Sequence, residues 1–370
     1  MPRPDRLRVL LLTDELEVGG TQRQIVHLAR GLDRSRFEPT VGFFRNRSFL
    51  AGELEAAAVP VAQIEKTRRL EPRFVRDLVR FVRAGRFDVM HCFAFTAELW
   101  GAVAHACLAA PTRPALITSV RNKYDWYSGT QWRLKRWATL RSQRIIANSR
   151  AGGEYACSRM GLRADAIEVV YNGVPETPAP APRDPGPVLE LLFVGRLVEQ
   201  KNVPVLLRAM HRLAAARVPV RLRIAGDGPL RGEIEAMRAA LGLEGCVEML
   251  GEREDVAQLM AQADAVVLPS LREGLSNVIL EAMMAGRPVV ASRVGGNPEL
   301  VEHGVTGSLF ASGDDVVLAD ALGTLAANPH TCARMGRTAR RRAVEHYSIG
   351  AMVGAMEGHY SQCGEARWIA

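Results

Sequence analysis

Short runs of valine, isoleucine and leucine alternate with longer helical patterns along the whole chain of 370 residues. This alternation is typical of β-α units, in which parallel strands are covered by helices on both faces. It predicts thirteen strands, near residues 8–13, 40–44, 61–64, 89–92, 115–119, 144–147, 167–170, 189–194, 221–225, 247–250, 265–268, 288–291 and 307–310. The chain is therefore predicted to be an α/β protein with doubly wound parallel sheets.

A proline-rich segment interrupts this alternation once. Six of the thirteen residues in 175–187 are prolines, which lack the backbone donor that a helix interior or a central strand requires. We interpret 175–187 as a linker between two domains, residues 1–174 and residues 188–345. Residues 346–370 are predicted to form a C-terminal helical segment, with packing back on the N-terminal domain as one arrangement.

Composition and charge narrow the class of protein. Hydrophobic residues make up 48% of the chain and charged residues 24%, which fits a globular protein that buries a large core. The net charge of +8 is spread along the chain without a motif that reads nucleic acid, so a nucleic-acid partner is not expected. The arginine-rich stretch 334–342 is interpreted as a solvated helix face.

Cysteine spacing and two apolar stretches bear on the compartment. The six cysteines show no C-x-x-C pair and no histidine spacing for zinc, so neither a disulfide framework nor a metal site is predicted. Residues 9–12 are too few for the core of a signal peptide. Glu98 and His105 interrupt the apolar stretch 93–110, where charge within a bilayer is costly. We therefore predict a cytoplasmic protein in which 93–110 is a buried helix.

Two loops that follow predicted strands hold glycines and cations, at the edge where open α/β sheets bind ligands. Gly19-Gly20 precedes Thr21-Gln22-Arg23-Gln24, whose Thr and Gln have the spacing of a capping box. Arg196 and Lys201 lie five residues apart and could neutralise a diphosphate from two directions. A tight turn for the first loop and a chance placement for the second are the alternatives, although Lys201 is one of only four lysines.

The most specific segment is 268–286. Ser276 or Asn277 is predicted to cap a helix that ends at Gly286. The amides of residues 274–276, together with the positive end of the helix dipole, would then form a seat for a phosphate.

The same segment holds two carboxylates. Glu273 precedes the predicted helix, whereas Glu281 lies one turn inside it, on the same face as Asn277. The two carboxylates are therefore expected to reach different parts of one ligand. A solvated glutamate on an amphipathic helix is the alternative for Glu281, but its sequence neighbours are apolar and a carboxylate among them needs a partner.

Taken together, these segments resemble family 4 of the retaining glycosyltransferases. The resemblance implies the GT-B fold, in which two Rossmann-like domains face each other across a cleft. The N-terminal domain would lie on the acceptor side and the C-terminal domain would bind the nucleotide sugar. The motifs that carry the resemblance are Gly19-Gly20, Asn148-Ser149, Tyr171-Asn172-Gly173-Val174, Gly195-Arg196-Leu197 with Lys201, Gly226-Asp227-Gly228-Pro229, the pair Glu273 and Glu281, Gly286-Arg287-Pro288-Val289-Val290 and Gly295-Gly296.

The resemblance implies a role for each matching residue. Glu281 would bind the ribose hydroxyls of the nucleotide sugar, and Glu273 would bind hydroxyls of the donor sugar. Arg196 and Lys201 would neutralise the diphosphate leaving group, so that Glu273, Arg196 and Lys201 are the implied catalytic residues. The other implied donor-binding residues are Leu275, Ser276 and Asn277 at the helix start and Gly19 and Gly20 from the opposite lobe.

The implied reaction needs no group beyond the substrates. Members of the family transfer a sugar with retention, and the absence of an Asp-x-Asp triplet agrees with a reaction without a metal. The implied donor is a nucleoside-diphosphate sugar, which leaves no further cofactor to expect. The implied acceptor is a glycan or a lipid-linked sugar, as in the synthesis of cell-surface polysaccharide or exopolysaccharide.

A stretch of mixed aromatic and basic residues, 126–144, bears on membrane contact. We interpret it first as a solvated helix that packs its tryptophans inward. Because such a mixture is also typical of helices that lie at a bilayer surface, peripheral contact with the inner face of the membrane is the second hypothesis.

One position departs from the family pattern. Many members have a histidine after the strand near 115–119, whereas this chain has Val120-Arg121-Asn122-Lys123. An arginine does not act as a general base, so the roles of Arg121 and of Asn172 are left open. His91 ends the preceding strand and is interpreted as structural.

Two other functions stay open from the sequence. A non-hydrolysing sugar-nucleotide epimerase shares the two-lobed fold and needs no acceptor. A non-catalytic subunit that binds a nucleotide sugar is the second. The presence of Arg196, Lys201, Glu273 and Glu281 in one chain favours an active transferase.

Overall fold

Each predicted strand is present in one of two parallel sheets. The computed structural model describes residues 6–17, 19–68, 71–178 and 186–369. The first sheet has the order β3-β2-β1-β4-β5-β6-β7 and the second has the order β10-β9-β8-β11-β12-β13, which confirms the predicted doubly wound organisation. The strands are β1 (Leu7–Leu16), β2 (Phe37–Arg47), β3 (Val61–Gln63), β4 (Val89–Cys92), β5 (Ala115–Val120), β6 (Arg144–Ala147), β7 (Glu168–Val169), β8 (Leu189–Val194), β9 (Val220–Ala225), β10 (Val247–Gly251), β11 (Ala265–Leu268), β12 (Val289–Ser292) and β13 (Gly307–Phe310).

Helices connect these strands and close the chain. They are α1 (Gly20–Gly31), α2 (Phe49–Ala56), α3 (Pro72–Gly85), α4 (Phe95–Cys107), α5 (Gly129–Thr139), α6 (Arg150–Met160), α7 (Val203–Ala215), α8 (Arg231–Ala240), α9 (Val256–Gln262), α10 (Asn277–Met284), α11 (Asn297–Leu300), α12 (Asp315–Ala327), α13 (Pro329–His346) and α14 (Ile349–Ile369). The strand order reverses between β1 and β4 in the first sheet and between β8 and β11 in the second. Ligands of open α/β sheets bind beyond the carboxyl ends of strands at such reversals.

The chain divides into two units. Unit 1 comprises residues 1–173 and 349–370, and unit 2 comprises residues 174–348. The chain leaves unit 1 after residue 173, one residue before the predicted end of the N-terminal domain at 174. It leaves unit 2 after residue 348, three residues beyond the predicted end of the C-terminal domain at 345. Of the linker predicted at 175–187, residues 179–185 lie outside the described part of the chain.

The core of unit 1 includes the last helix of the chain. Residues 9–12 of β1 are fully buried, because a central parallel strand is covered on both faces. Helix α14 belongs to the same core cluster and supplies the buried side chains of Met352, Val353, Met356, Tyr360 and Cys363. The C-terminal segment therefore completes the hydrophobic core of unit 1.

The capping box predicted at the start of α1 is wrong. The N-cap residue is Gly19, which makes no side-chain cap hydrogen bond. The Gln24 side chain is instead buried and bonds the backbone of Gly173 twice, from Nε2 to the carbonyl oxygen at 2.9 Å and from the Gly173 N–H to Oε1 at 2.9 Å. The contact with Gly173 thus occupies the side-chain amide of Gln24, which the capping box would have required.

The arginine-rich stretch of α13 is only in part a solvated face. Arg340 donates to the carbonyl oxygens of Met284 and Thr177, and Arg342 donates to that of Glu299 at 3.1 Å. These two side chains are half-buried, and each bonds backbone carbonyl groups of unit 2. The exposed arginines of the stretch are Arg334, Arg337 and Arg341.

Residues 95–107 of the apolar stretch 93–110 form helix α4, so a helix is present where one was predicted. The Glu98 carboxylate is buried there and accepts a hydrogen bond from Lys135 of α5, which is 1% exposed. Trp132 of α5 is also buried, whereas Trp126 is 54% exposed. Among the described residues, no helix combines the length and the apolar character that crossing a bilayer requires.

Candidate functional site

The carboxyl ends of β8 and β9 are in backbone contact. A Cβ atom on Gly226 would lie 1.9 Å from the carbonyl oxygen of Gly195, so any other residue at 226 would push the two loops apart. The Leu197 N–H donates to the carbonyl oxygen of Asp227 at 2.9 Å. This contact fixes the start of the loop that carries Arg196 and Lys201.

The loops after β11 and β12 approach each other in the same way. Gly295 has a φ of +51°, and a Cβ there would lie 1.9 Å from the carbonyl oxygen of Glu273. The Gly296 N–H donates to the carbonyl oxygen of Gly274 at 2.8 Å. The loop after β12 therefore holds the backbone of Glu273 and Gly274.

Lys201 and Glu273 form an ion pair across 72 positions of sequence. Nζ lies 2.6 Å from Oε1, and the side chains are 17% and 8% exposed. The Ser270 hydroxyl donates to the same Oε1 at 2.7 Å. Within the described part of the chain, Oε2 of Glu273 has no hydrogen-bond partner, so it can accept a hydroxyl from a ligand.

Two hydrogen bonds hold the two loops that supply this pair. The Leu271 N–H donates to the carbonyl oxygen of Gln200 at 2.8 Å, and the Gln200 side chain donates back to that of Arg272 at 2.9 Å. The sequence motifs did not include Ser270 or Gln200 as site residues. The sequence signal for Ser270 was its position two residues after the buried strand β11 and three residues before Glu273.

Helix α10 follows Glu273 and begins where a cap was predicted. The N-cap residue is Ser276, whose hydroxyl accepts from the Ile279 N–H at 3.4 Å. Leu275 and Ser276 are 7% and 4% exposed. The first amides of the helix and its dipole make this position suited to an anion.

The remaining predicted residues of unit 2 lie close in sequence to this pair. Asn277 and Glu281 are half-buried on α10, four residues apart. Arg196 is exposed in the loop of Lys201 and makes no ion pair with any described residue. The structure therefore brings Lys201 and Glu273 into direct contact, and it leaves the Arg196 guanidinium free to meet a ligand. Among the described residues, no group of three or more His, Cys, Asp and Glu could hold a metal ion.

Unit 1 holds the other predicted residues. Gly19 is the N-cap of α1 and Gly20 is its first residue. Arg121 follows β5 and donates from Nη2 to Oδ1 of Asn172 at 2.8 Å. Both side chains are buried, with 8% exposure for Arg121 and 4% for Asn172. Burial lowers the pKa of Arg121 to about 10, which leaves it protonated at neutral pH.

His91 bonds on both sides of its ring. Nδ1 lies 2.7 Å from the Tyr360 hydroxyl and Nε2 lies 2.7 Å from the Ser119 hydroxyl. Burial holds the pKa of His91 well below its ordinary value. The imidazole is therefore neutral and engaged, which agrees with its interpretation as structural.

Two family models match the chain, one in each half. Residues 18–177 match the model described as Glycosyltransferase Family 4. Residues 189–328 match the model described as Glycosyl transferases group 1. The two matches fall on the predicted N-terminal and C-terminal domains.

Curated relatives extend the likeness over most of the chain. An uncharacterised glycosyltransferase of Methanocaldococcus jannaschii is 32% identical over 60% of this chain and 62% of its own length. Sulfoquinovosyl transferase of Arabidopsis thaliana is 26% identical over 73% of this chain and 55% of its own length. Alpha-maltose-1-phosphate synthase of Mycobacterium tuberculosis is 31% identical over 74% of this chain and 78% of its own length. The chain thus spans less than two thirds of the first two relatives and more of the third.

Solved structures match the whole described fold. The crystal structure of the Anabaena protein HepE in complex with UDP has a TM-score of 0.84 and 25% identity, over 96% of this chain and all of HepE. The complex of HepE with UDP-glucose has a TM-score of 0.83 at the same identity and coverage. TarM has a TM-score of 0.81 at 12% identity, which is a likeness of fold alone.

Proposed function

Because the chain belongs to family 4 of the group 1 glycosyltransferases, with their GT-B fold of two Rossmann-like domains, we propose that it is a retaining glycosyltransferase. It moves a sugar from a nucleoside-diphosphate sugar to a glycan or lipid-linked acceptor. The family membership confirms the resemblance that the sequence motifs indicated. The observation that carries the proposed activity is the ion pair of Lys201 and Glu273 beside the start of α10.

The proposed mechanism rests on charge that develops as the glycosyl–phosphate bond breaks. Negative charge then grows on the diphosphate, and fixed cations and amides stabilise that charge more in the transition state than in the ground state. Lys201 and Arg196 supply the cations, and the amides of Leu275 and Ser276 lie at the positive end of α10. No metal or further cofactor takes part.

Glu273 has two parts in this proposal. Oε1 accepts from Lys201 and from Ser270, which holds the ammonium in place. Oε2 accepts a hydroxyl of the donor sugar. Glu281, on the first turns of α10, binds the ribose hydroxyls.

The donor we propose is a UDP-sugar. The HepE complexes with UDP and with UDP-glucose support this choice, because HepE matches the chain over both units at 25% identity. The names of the curated relatives span sulfoquinovosyl and maltose 1-phosphate chemistry, so they do not narrow the acceptor below its class. We place the enzyme in cell-surface or exopolysaccharide synthesis in the cytoplasm.

Substitutions in unit 2 test the activity. We expect Lys201→Ala and Glu281→Ala each to lower kcat/KM with a UDP-sugar by about 100-fold or more, since each removes charge or hydrogen bonding from the donor. Assays are run in EDTA, and circular dichroism checks the fold. Arg337→Ala, an exposed cation on α13, is the control and leaves turnover unchanged. Unchanged turnover in both site variants would remove the proposed donor site.

The same preparation separates the alternative functions. Incubation with the donor alone leaves the sugar unchanged or slowly hydrolysed if the enzyme is a transferase, whereas an epimerase converts it to its epimer. A non-catalytic subunit raises its Tm with UDP-sugar but transfers nothing to any acceptor.

Peripheral membrane contact is tested with vesicles. Trp126 and Leu140 are 54% and 55% exposed near the basic helix α5, whereas Trp132 packs inward, so part of the predicted stretch is free to meet a bilayer. We expect co-sedimentation with anionic vesicles at low salt and its loss in Trp126→Ser with Leu140→Ser. Equal sedimentation with neutral vesicles, or none with either, contradicts membrane contact.

A further inference from the structure

Arg121 is a buried cation whose donors are mostly unused. A guanidinium carries five N–H donors. Among the described residues, its side chain makes one hydrogen bond, from Nη2 to Oδ1 of Asn172 at 2.8 Å. Nε is buried with no partner. Buried polar groups are nearly always hydrogen-bonded, so an unpaired charged donor at this depth needs an explanation.

A second buried cation of the same unit shows what a completed site looks like. Lys135 is 1% exposed and pairs with the carboxylate of Glu98, and it also donates to the carbonyl oxygen of Ser119 at 3.1 Å. The partner of Arg121 is the neutral amide oxygen of Asn172, where Lys135 has a carboxylate. Burial lowers the pKa of Arg121, and no carboxylate of the described chain opposes that effect. The counter-ion of Arg121 is therefore not supplied by the described chain.

The groups around Arg121 lie at one edge of the first sheet. Arg121 follows β5, Asn148 follows β6 and Asn172 comes after β7, and these strands are neighbours. The Asn148 amide donates to the Arg121 carbonyl oxygen at 3.2 Å, and its own Oδ1 is buried without a partner. The ring of Phe93 lies 5.7 Å from the guanidinium carbon. Unused donors and an unused acceptor thus stand together at the edge where such sheets bind ligands.

We propose that Arg121, held in place by Asn172, binds an oxyanion, namely the carboxylate or phosphoryl group of a sugar substrate. The unpaired N–H groups of a guanidinium match the paired oxygens of either anion. This inference rests on the proposed function in one respect, that the anion belongs to a substrate of the transferase.

The test uses a signal confined to unit 1. All five tryptophans of the chain lie in that unit, so their fluorescence reports its thermal unfolding in the full-length protein. The probes are glucuronate, which carries a carboxylate, and glucose 1-phosphate, which carries a phosphoryl group. Glucose at equal ionic strength is the neutral comparison. We expect one of the two anions to raise the Tm by about 3–5 °C at ten times its Kd, and glucose to raise it less.

Variants assign that shift to Arg121. Arg121→Gln removes the charge, so it abolishes the difference between the anion and glucose. Its Tm without a probe stays equal to that of the wild type or rises, because an unpaired buried charge has been removed. Lys123→Gln removes an exposed cation of the same loop and keeps the full response. The probe that responds shows whether the substrate carries a carboxylate or a phosphoryl group.

Two results would overturn the proposal. One is an Arg121→Gln variant that unfolds at lower temperature yet keeps the wild-type response, since Arg121 would then be a structural cation. The other is no Arg121-dependent response to either probe up to its solubility. The measurement is repeated in Lys201→Ala, where the response of unit 1 survives even if the response to UDP is lost. Failure of the donor site in unit 2 is thereby distinguished from failure of the oxyanion site.

Discussion

At the scale of single residues, the buried titratable groups of unit 1 differ in how their charge is compensated. Lys135 has the carboxylate of Glu98 as its partner. His91 avoids charge altogether, because both ring nitrogens are hydrogen-bonded within the core. Arg121 keeps its charge beside the neutral amide of Asn172. Residue-level chemistry therefore separates groups that complete the core from a group that is ready for a ligand.

The state of His91 predicts how stability depends on pH. Burial and the neighbouring charges of Arg121 and His359 lower the pKa of His91 in the folded protein, so below about pH 6.5 the unfolded chain binds a proton that the folded chain does not. Stability contributed by neutral His91 is therefore complete above pH 6.5 and is lost as pH falls. Between pH 7.5 and 5.5, wild type should lose about 1.4 kcal/mol more than His91→Asn.

Urea unfolding of unit 1, followed by tryptophan fluorescence at the two pH values, measures this difference. Parallel losses in wild type and His91→Asn would show that His91 titrates alike in the folded and unfolded states. The other histidines with lowered pKa, His27, His105 and His359, are present in both proteins and cancel in the comparison.

At the scale of elements, the strands were predictable and several contacts were not. Strands β4, β5, β11 and β12 are buried along their whole length, and such strands appear in the sequence as short continuous apolar runs. The pairing of Lys201 with Glu273 was not predictable in atomic terms, because the two residues lie 72 positions apart. The capping box at Thr21 and Gln24 failed because a tertiary contact with Gly173 competes for the Gln24 amide.

The loop after β12 gives a prediction at this scale. Gly295→Ala has two costs. The alanine backbone must adopt a positive φ, and its Cβ atom collides with the Glu273 carbonyl oxygen. Gly304 also has a positive φ, of +79°, but open space around it, so Gly304→Ala measures the backbone strain alone, about 1–2 kcal/mol. We expect Gly295→Ala to cost about 2 kcal/mol beyond that control and to lower kcat as Glu273 is displaced.

Calorimetry of the unit 2 transition and turnover with a UDP-sugar measure both effects. If the two alanine variants lose the same stability and the same activity, the close approach of Gly295 to Glu273 has no energetic consequence.

At the scale of the whole molecule, unit 1 is built from two separate parts of the chain. Five buried side chains of α14 belong to its core cluster, and burial of each stabilises the fold by about 1.5–3 kcal/mol. Their sum is comparable with the entire stability of a domain, about 5–15 kcal/mol. Unit 2 contains no residue of α14.

Removal of residues 349–370 should therefore abolish the cooperative unfolding transition of unit 1 and leave that of unit 2 in place. Calorimetry resolves the two transitions, and tryptophan fluorescence identifies the one that belongs to unit 1. Tyr360→Phe is the milder companion, because it removes only the hydroxyl that bonds His91 and should cost about 1–3 kcal/mol. A truncated chain with an unaltered fluorescence transition would contradict the structural role of α14.

The late position of α14 also has a consequence for synthesis on the ribosome. Residues 1–173 emerge first, but the hydrophobic surface that α14 covers stays open until some 175 further residues have been translated. At roughly 5–20 residues per second, that interval lasts about 10–35 s. During that interval the whole of unit 2 emerges, and it needs no later segment of the chain to fold. We therefore expect unit 2 to fold before unit 1, although unit 1 is translated first. Chaperone binding is therefore expected on the nascent N-terminal region, and its release is timed by the arrival of the last helix.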